Sequence, residues 1–266
     1  VQRSWDRPRF TFFALRVEDL SLPGRVFFLS TEDINLINPN SKTCPIFRSE
    51  RDAEITKQVY RNVPILIRKS SQGDINPWRM TFARSFDMTN DAELFMSEDF
   101  FDANWTPEGN AFVHGAQKYL RLYEGRMIDN YDHRLASTRV KDIKLQRSAE
   151  SVVFSSSQKA DPACIAKPRY WVSEAEVRNA SAAMLNQGWV LSFMDITSAT
   201  NARTMIASLV PESGLGNTVI GLLSKVNARL QCCLMANLCS FVFDYVCKQK
   251  VSGNHLNMFI VKQLPV

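Results

Sequence analysis

The apolar run CCLMANLCSFVFDYVC at residues 232–247 constrains the fold more than any other stretch of this chain. Such a segment has to leave water, either for a bilayer or for a protein core. It is shorter than the roughly 20 apolar residues that span a hydrocarbon layer, and it carries Asn237, Ser240 and Asp244. It therefore predicts a buried helix and no membrane partner. Leu234, Leu238, Phe241, Val242 and Tyr245 recur at helical spacing, and Lys248 and Lys250 fall where the negative end of the helix dipole would sit. A chain of 266 residues, 45% hydrophobic and 22% charged, is long enough to build a core around such a helix, as one large domain or as two lobes.

Four of the six cysteines (Cys44, Cys164, Cys232, Cys233, Cys239, Cys247) belong to that apolar stretch, where a thiol behaves as a small hydrophobe. None forms a Cys-x-x-Cys pair, which argues against a structural zinc and for a reducing, cytoplasmic setting. The opening VQRSWDRPRF has no apolar h-region, so no secretory leader is expected there, and the absent initiator methionine suggests a piece of a longer protein. A net charge of +5 suits an acidic partner, but 27 acidic residues are mixed with 32 basic ones, so charge alone selects no function.

Along the chain, RFTFFAL and RVFFLS are strand-like runs. Ser49 opens Ser-x-x-Asp with Asp52, a capping signal, and Ile55 and Val59 follow at helical spacing until Asn62 and Pro64 end the segment. Residues 70–110 are polar and punctuated by Pro77, Pro107 and Gly109, and they predict an irregular connection at the boundary between lobes. From Ala111 onward, YLRLYEGRMI, SVVFSS, PRYWVS, GWVLSFMDI and RTMIASLVP are short β-rich runs separated by turns. Residues 219–250 then predict helix, and NMFIVKQLPV a last strand or extended segment. The expected fold class is α+β: a mixed sheet of short strands with flanking helices, two lobes sharing a core, and a long buried helix near the C-terminus.

Motifs that would carry chemistry are incomplete. LINPNSKTCPIF at 36–47 holds an Asn-Pro pair similar to the Asn-Pro-Pro-Tyr loop with which amino-methylating enzymes grip an extruded base. Its second proline is absent, Phe47 comes too late to stack on that base, and no glycine-rich turn upstream could hold S-adenosylmethionine. PESGLGNT lacks the Gly-Lys-Ser/Thr ending of a phosphate loop and predicts a tight turn. His114, His133 and His255 are isolated from other ligands at metal-binding spacing. A nuclease would need Glu124, Asp129 and Asp132 to converge, which alternation along a strand disfavours.

The segments NPNSKTCPIFRSERDAEITKQVYRNVPIL, LYEGRMIDNYDHR, PRYWV, DITSATNARTMIASLVP and ANLCSFVFDYVCKQKVSGNHLNMFIVKQLPV occur here in one order. Together they resemble the portion that follows the catalytic domain in large bacterial adenine-N6 DNA methyltransferases of the type IIG restriction-modification and phage-defence group. The resemblance is densest at residues 35–66, 120–134 and 170–266. It implies a target-recognition region similar to the TaqI-like C-terminal specificity domain. Residues 1–110 would be a connector lobe following an absent methyltransferase domain, and 111–266 the DNA specificity domain. The implied partners are double-stranded DNA and the methyltransferase domain of the parent protein. No cofactor is implied in this chain, S-adenosylmethionine belonging to the full-length enzyme, and no catalytic residue.

Within those segments, Arg126, Tyr131, His133 and Arg134 combine stacking, phosphate-pairing and base-edge donors, although a half-buried strand has a similar composition. Arg203 and Thr204 precede a strand, where they could touch phosphate or cap a turn. KQKVSGNHLN is the preferred contact loop: Lys250 would pair with phosphate, Asn254 and His255 would address base edges, and Gly253 would allow close approach. Arg48 and Arg51 flank a helix start, where a salt-bridged face with Glu50, Asp52 and Glu54 is expected. The alternative function is a protein-protein docking module of a defence complex, using the apolar helix together with Trp171 and Trp189.

Overall fold

A computed structural model describes residues 8–140 and 149–266, so most of the opening decapeptide lies outside the described residues. The chain forms an α+β fold of short strands and short helices. It divides into two compact units. The first gathers residues 1–78, 198–204 and 240–266, and the second gathers 79–197 and 205–239. The boundary therefore falls between Trp78 and Arg79 and not near residue 110. The strand Met80–Ala83, inside the segment expected to be irregular, already pairs within the second unit.

Two larger sheets form the core of the second unit, beside a two-stranded pair, Ala136–Val140 with Ala149–Val153. Four antiparallel strands run in the order Ala207–Pro211, Trp189–Met194, Val219–Ser224, Met80–Ala83. The other sheet runs Phe95–Met96, Trp171–Ser173, Gln117–Tyr123, Ala111–His114, Thr106–Glu108, and Gly214–Leu215 joins it parallel to Gln117–Tyr123. Side chains of both sheets bury a common core that includes Leu120, Leu122, Tyr123, Val172, Val190, Val210, Leu215 and Val219. Gly214–Leu215 is a strand and not the expected tight turn. A Cβ on Gly214 would lie 2.5 Å from Val172 Cγ1 and 3.0 Å from Leu122 Cδ1, so only glycine lets the strands approach this closely. VIGLLS, read as the start of the helical region, is likewise a strand, Val219–Ser224.

In the first unit, Ser30 caps the helix Thr31–Ile37 and forms a capping box with Asp33. Ser49 caps Glu50–Asn62, its hydroxyl accepting from the Asp52 N–H at 3.2 Å and donating to the Asp52 carboxylate at 2.8 Å. The buried face of that helix is Ala53, Thr56, Lys57 and Tyr60. Ile55 points outward, 38% exposed, so the helix is turned relative to its sequence stripe. Lys57 can be buried because Asp33 and Glu54 lie at 3.5 and 2.5 Å. Phe27, Leu29, Ile37, Phe47 and Leu66 complete this core from the N-terminal side.

The apolar run that opened the sequence reading is not one helix. Ala228–Leu238 ends at Cys239, and Ser240 caps a second helix, Phe241–Lys250, by accepting from the Phe243 N–H at 3.1 Å. A serine that caps a helix stops the preceding one, because its backbone is extended, with φ −70° and ψ 154°. Burial is also partial: Phe241 and Val242 are 81% and 60% exposed, and Cys232 and Cys233 face solvent while Cys239 and Cys247 are buried. Among the described residues, no single helix is long and apolar enough to cross a membrane. NMFIVKQLPV, expected to be extended, begins as the short helix Met258–Val261 and then returns beside residues 64–67. There Leu66 N–H and Ile67 N–H donate to the Leu264 and Lys262 carbonyls at 2.9 Å each.

Candidate functional site

Asn38, Asn40 and Ser41 of the Asn-Pro loop are used in holding the loop in place. Asn38 donates from Nδ2 to the Thr43 carbonyl at 2.8 Å, and its Oδ1 accepts from Lys250 Nζ at 2.8 Å. Asn40 and Ser41 N–H both donate to Gln263 Oε1, at 3.0 and 3.1 Å. The Asn40 side chain bridges the Ile67 carbonyl and the Lys69 N–H, 2.8 Å each. An asparagine that grips a substrate amine must present its oxygen to that amine, and the Asn38 oxygen is turned to a lysine. The loop is a structural clasp.

That clasp forms one wall of an open cavity of about 640 Å³ within the first unit. Other walls come from the Phe12–Phe13 segment, residues 198–200, and the end of the helix Phe241–Lys250 with the loop after it. The lining includes three cations, Arg48, Lys248 and Lys250, and no carboxylate. Arg48 is exposed and its guanidinium lies 5.5 Å from the centre of the Phe13 ring. It forms no salt bridge with the acids near the helix start, contrary to the expected charged face. Lys248 donates to the Ala202 carbonyl at 2.9 Å and lies 3.6 Å from Asp244. The thiol of Cys44, also on the lining, is pushed up by burial.

The preferred contact loop lies at this cavity. Ser252, Gly253, Asn254 and His255 are exposed, and buried Val251 and Leu256 anchor the loop at its two ends. Asn254 lines the cavity and His255 lies on the same exposed turn. Lys250 is different. Its ammonium donates to the carbonyls of Ile37 and Gln263 at 2.6 and 3.1 Å as well as to Asn38, and it lies 4.8 Å from the Tyr60 ring centre. Burial pushes its pKa down to about 7. It is a buried fastener and not an exposed phosphate contact.

Three further expectations change because the side chains concerned hold the fold together. Thr204 is fully buried; its N–H donates to Asp244 at 2.7 Å and its hydroxyl to the Ser198 carbonyl at 3.0 Å. Arg203 rests 4.9 Å over the Phe241 ring and 3.6 Å from Asp244. In the second unit, the Arg134 guanidinium donates to the carbonyls of Lys159, Asp161 and Cys164 at 2.7, 3.1 and 3.0 Å, so it ties down a loop. His133 is half-buried, and burial together with the Arg134 charge lowers its pKa. Arg126 stays largely exposed while donating to the Ala149 carbonyl at 2.8 Å. Tyr131 is 57% exposed, held at a φ of 63° with its N–H on the Ala207 carbonyl. The residues expected to bind DNA are thus divided between the units, with Asn254 and His255 at the cavity and Arg126 and Tyr131 as exposed groups elsewhere.

The three acids of a nuclease reading each have another task. Glu124 pairs with Arg169 through both oxygens at 2.8 and 3.0 Å, Asp132 pairs with Lys159 at 2.5 Å, and the Asp129 carboxylate accepts from the Asn130 N–H at 2.7 Å. Trp171, expected at a docking surface, is 5% exposed in the sheet interior. Phe13 and Phe259 were not singled out from sequence. Each lies in an apolar run, and nothing local distinguishes a ring at a cavity from one in a core. No family model matches the chain, and a search of curated proteins finds no match either.

Proposed function

We propose that this chain is the DNA target-recognition part of an S-adenosylmethionine-dependent adenine-N6 DNA methyltransferase, of the restriction-modification or phage-defence kind. It binds duplex DNA and selects the site, while methyl transfer belongs to a methyltransferase domain of the parent protein. The observation that carries this reading is the exposed Ser252–His255 turn beside a cavity lined by Arg48 and Lys248 and by no carboxylate. A polar turn on buried anchors can address base edges, and basic side chains on a lining without carboxylates draw a polyanion. The cavity does not suit S-adenosylmethionine itself, whose sulfonium and ammonium groups are cationic, and the Asn38 side chain is tied to Lys250 and the Thr43 carbonyl.

The test is duplex binding by fluorescence anisotropy across a salt series. With three or four phosphate contacts, affinity falls roughly a hundredfold between about 50 and 200 mM salt. Replacing Arg48 with Gln flattens that slope, whereas Asn254→Ala lowers discrimination between sequences more than it lowers affinity. Salt-independent or undetectable duplex binding would sink the reading. A docking module for another protein is the second reading, and the exposed Phe241 and Val242 favour it. In that case Phe241→Ser breaks a protein complex and leaves duplex affinity untouched.

A further inference from the structure

The rim of the cavity is held in a strained form. Phe13 has a φ of 57°, a left-handed conformation that a bulky side chain rarely adopts. The Arg25 guanidinium holds it there, donating to the carbonyls of Phe13, Phe12 and Arg48 at 2.9, 3.3 and 3.0 Å. The clamp presents the Phe13 ring, 59% exposed, next to the Arg48 guanidinium. A ring this exposed adds little to a core, so packing does not account for the strain. A second exposed ring, Phe259 at 61%, lines the same cavity.

The combination narrows the ligand. Cationic ligands are disfavoured where Arg48 and Lys248 line a cavity that has no carboxylate on its walls. A bare phosphate would leave both rings unused, and an apolar molecule would strip water from Arg48 and Lys248 without compensation. A planar base carrying a phosphate uses both kinds of group, because rings accept any base face and cations accept the phosphate. The volume of about 640 Å³ lies within the usual range for small-molecule sites, about 300–1,000 Å³. Thr43, Ser198, Thr200 and Asn254 add the few polar groups that would orient such a ligand.

We propose that this cavity takes one nucleoside monophosphate unit, with its base against the exposed rings and its phosphate at Arg48 and Lys248. The unit comes either from an unpaired nucleotide of a DNA strand or from a free mononucleotide. The proposal deepens the DNA-recognition reading and rests on it for the first of these sources.

Calorimetric titration of the 266-residue chain with deoxyadenosine monophosphate, deoxyadenosine and inorganic phosphate at low salt tests the site. Phe13→Gly and Arg48→Gln are measured beside it. Glycine accepts a positive φ without strain, so Phe13→Gly removes the ring without threatening the fold. The monophosphate is expected to bind more tightly than either fragment, and Phe13→Gly to weaken it roughly tenfold. Monophosphate binding no tighter than inorganic phosphate, or indifferent to Phe13, overturns the proposal. A parallel arm compares a perfect duplex with one carrying a single bulged adenine. Tighter binding of the bulged duplex that is lost in Phe13→Gly assigns the nucleotide to DNA. Monophosphate binding with no affinity for either duplex supports the site with a free nucleotide and sinks the DNA reading. Duplex binding without any role for Phe13 does the reverse.

Discussion

The ammonium of Lys250 has three oxygen acceptors and an aromatic ring around it, and burial opposes its charge. Two consequences follow. Lys250→Met keeps the length of the side chain but leaves the Ile37 carbonyl and Asn38 Oδ1 without this donor, so it should destabilise the fold by about 2–4 kcal/mol in a denaturant titration. The second concerns pH. With a folded pKa near 7 and an ordinary value of 10.5, the unfolded chain holds a proton between these limits that the folded chain has released. Unfolding free energy should therefore rise with pH above about 7. The groups facing Lys250 act the other way: burial raises the pKa of Tyr60 and of the Cys247 thiol, and their opposing effect begins only near the ordinary thiol value of 9.0. The slope belongs to Lys250 below that point and should vanish in Lys250→Met. An unchanged slope in the variant would refute the assignment. Lysine at a helix end invites a phosphate reading, and only the three-dimensional neighbours of its Nζ show otherwise. The exposure of Asn254 and His255 was legible in the polar, glycine-containing composition of their loop. Thr204 was not, since its partner Asp244 is distant along the chain.

Among the elements, short strands were read more successfully than helices. The runs around 117–123, 149–153, 171–173, 189–194 and 207–211 became strands because β-branched and aromatic residues alternate there, and that signal is local. The apolar run at 232–247 misled because hydropathy cannot reveal a break, whereas Ser240 followed by a first turn with Asp244 does carry a start signal. The helix at Glu50–Asn62 was placed correctly and turned wrongly, because Asp33 and Glu54 let Lys57 go inside in place of Ile55. Gly214 makes the sharpest prediction at this scale. Gly214→Ala forces a methyl group to 2.5 Å from Val172 and should cost about 1–3 kcal/mol, read as a lower denaturation midpoint. A neutral result would mean that the parallel pairing with Gln117–Tyr123 is looser than described.

At the scale of the whole molecule, the α+β class was legible from composition and periodicity, but the partition of the chain was not. Units assembled from separated stretches leave no mark on local composition. The first unit depends on contacts that sequence distance hides: the Tyr60 hydroxyl donates to the Gln263 carbonyl at 2.7 Å, and Val266 N–H donates to the Pro64 carbonyl at 2.9 Å. A polypeptide of residues 1–110 should accordingly show no cooperative thermal transition by circular dichroism, even though its helices carry their own caps. Adding a peptide of residues 240–266 should restore part of that transition. A sharp melt by 1–110 alone would show that the N-terminal lobe is self-sufficient.

The interruption of the first unit by residues 79–197 and 205–239 also sets an order of events on the ribosome. All of the second unit's residues emerge before Lys248, Lys250 and Gln263 do, so the nascent chain can complete that unit while Asn38 and Asn40 still wait for their clasp. The recess comes into being last. Translation that stops early would leave a protein able to fold its sheets but with no place for a ligand at Phe13.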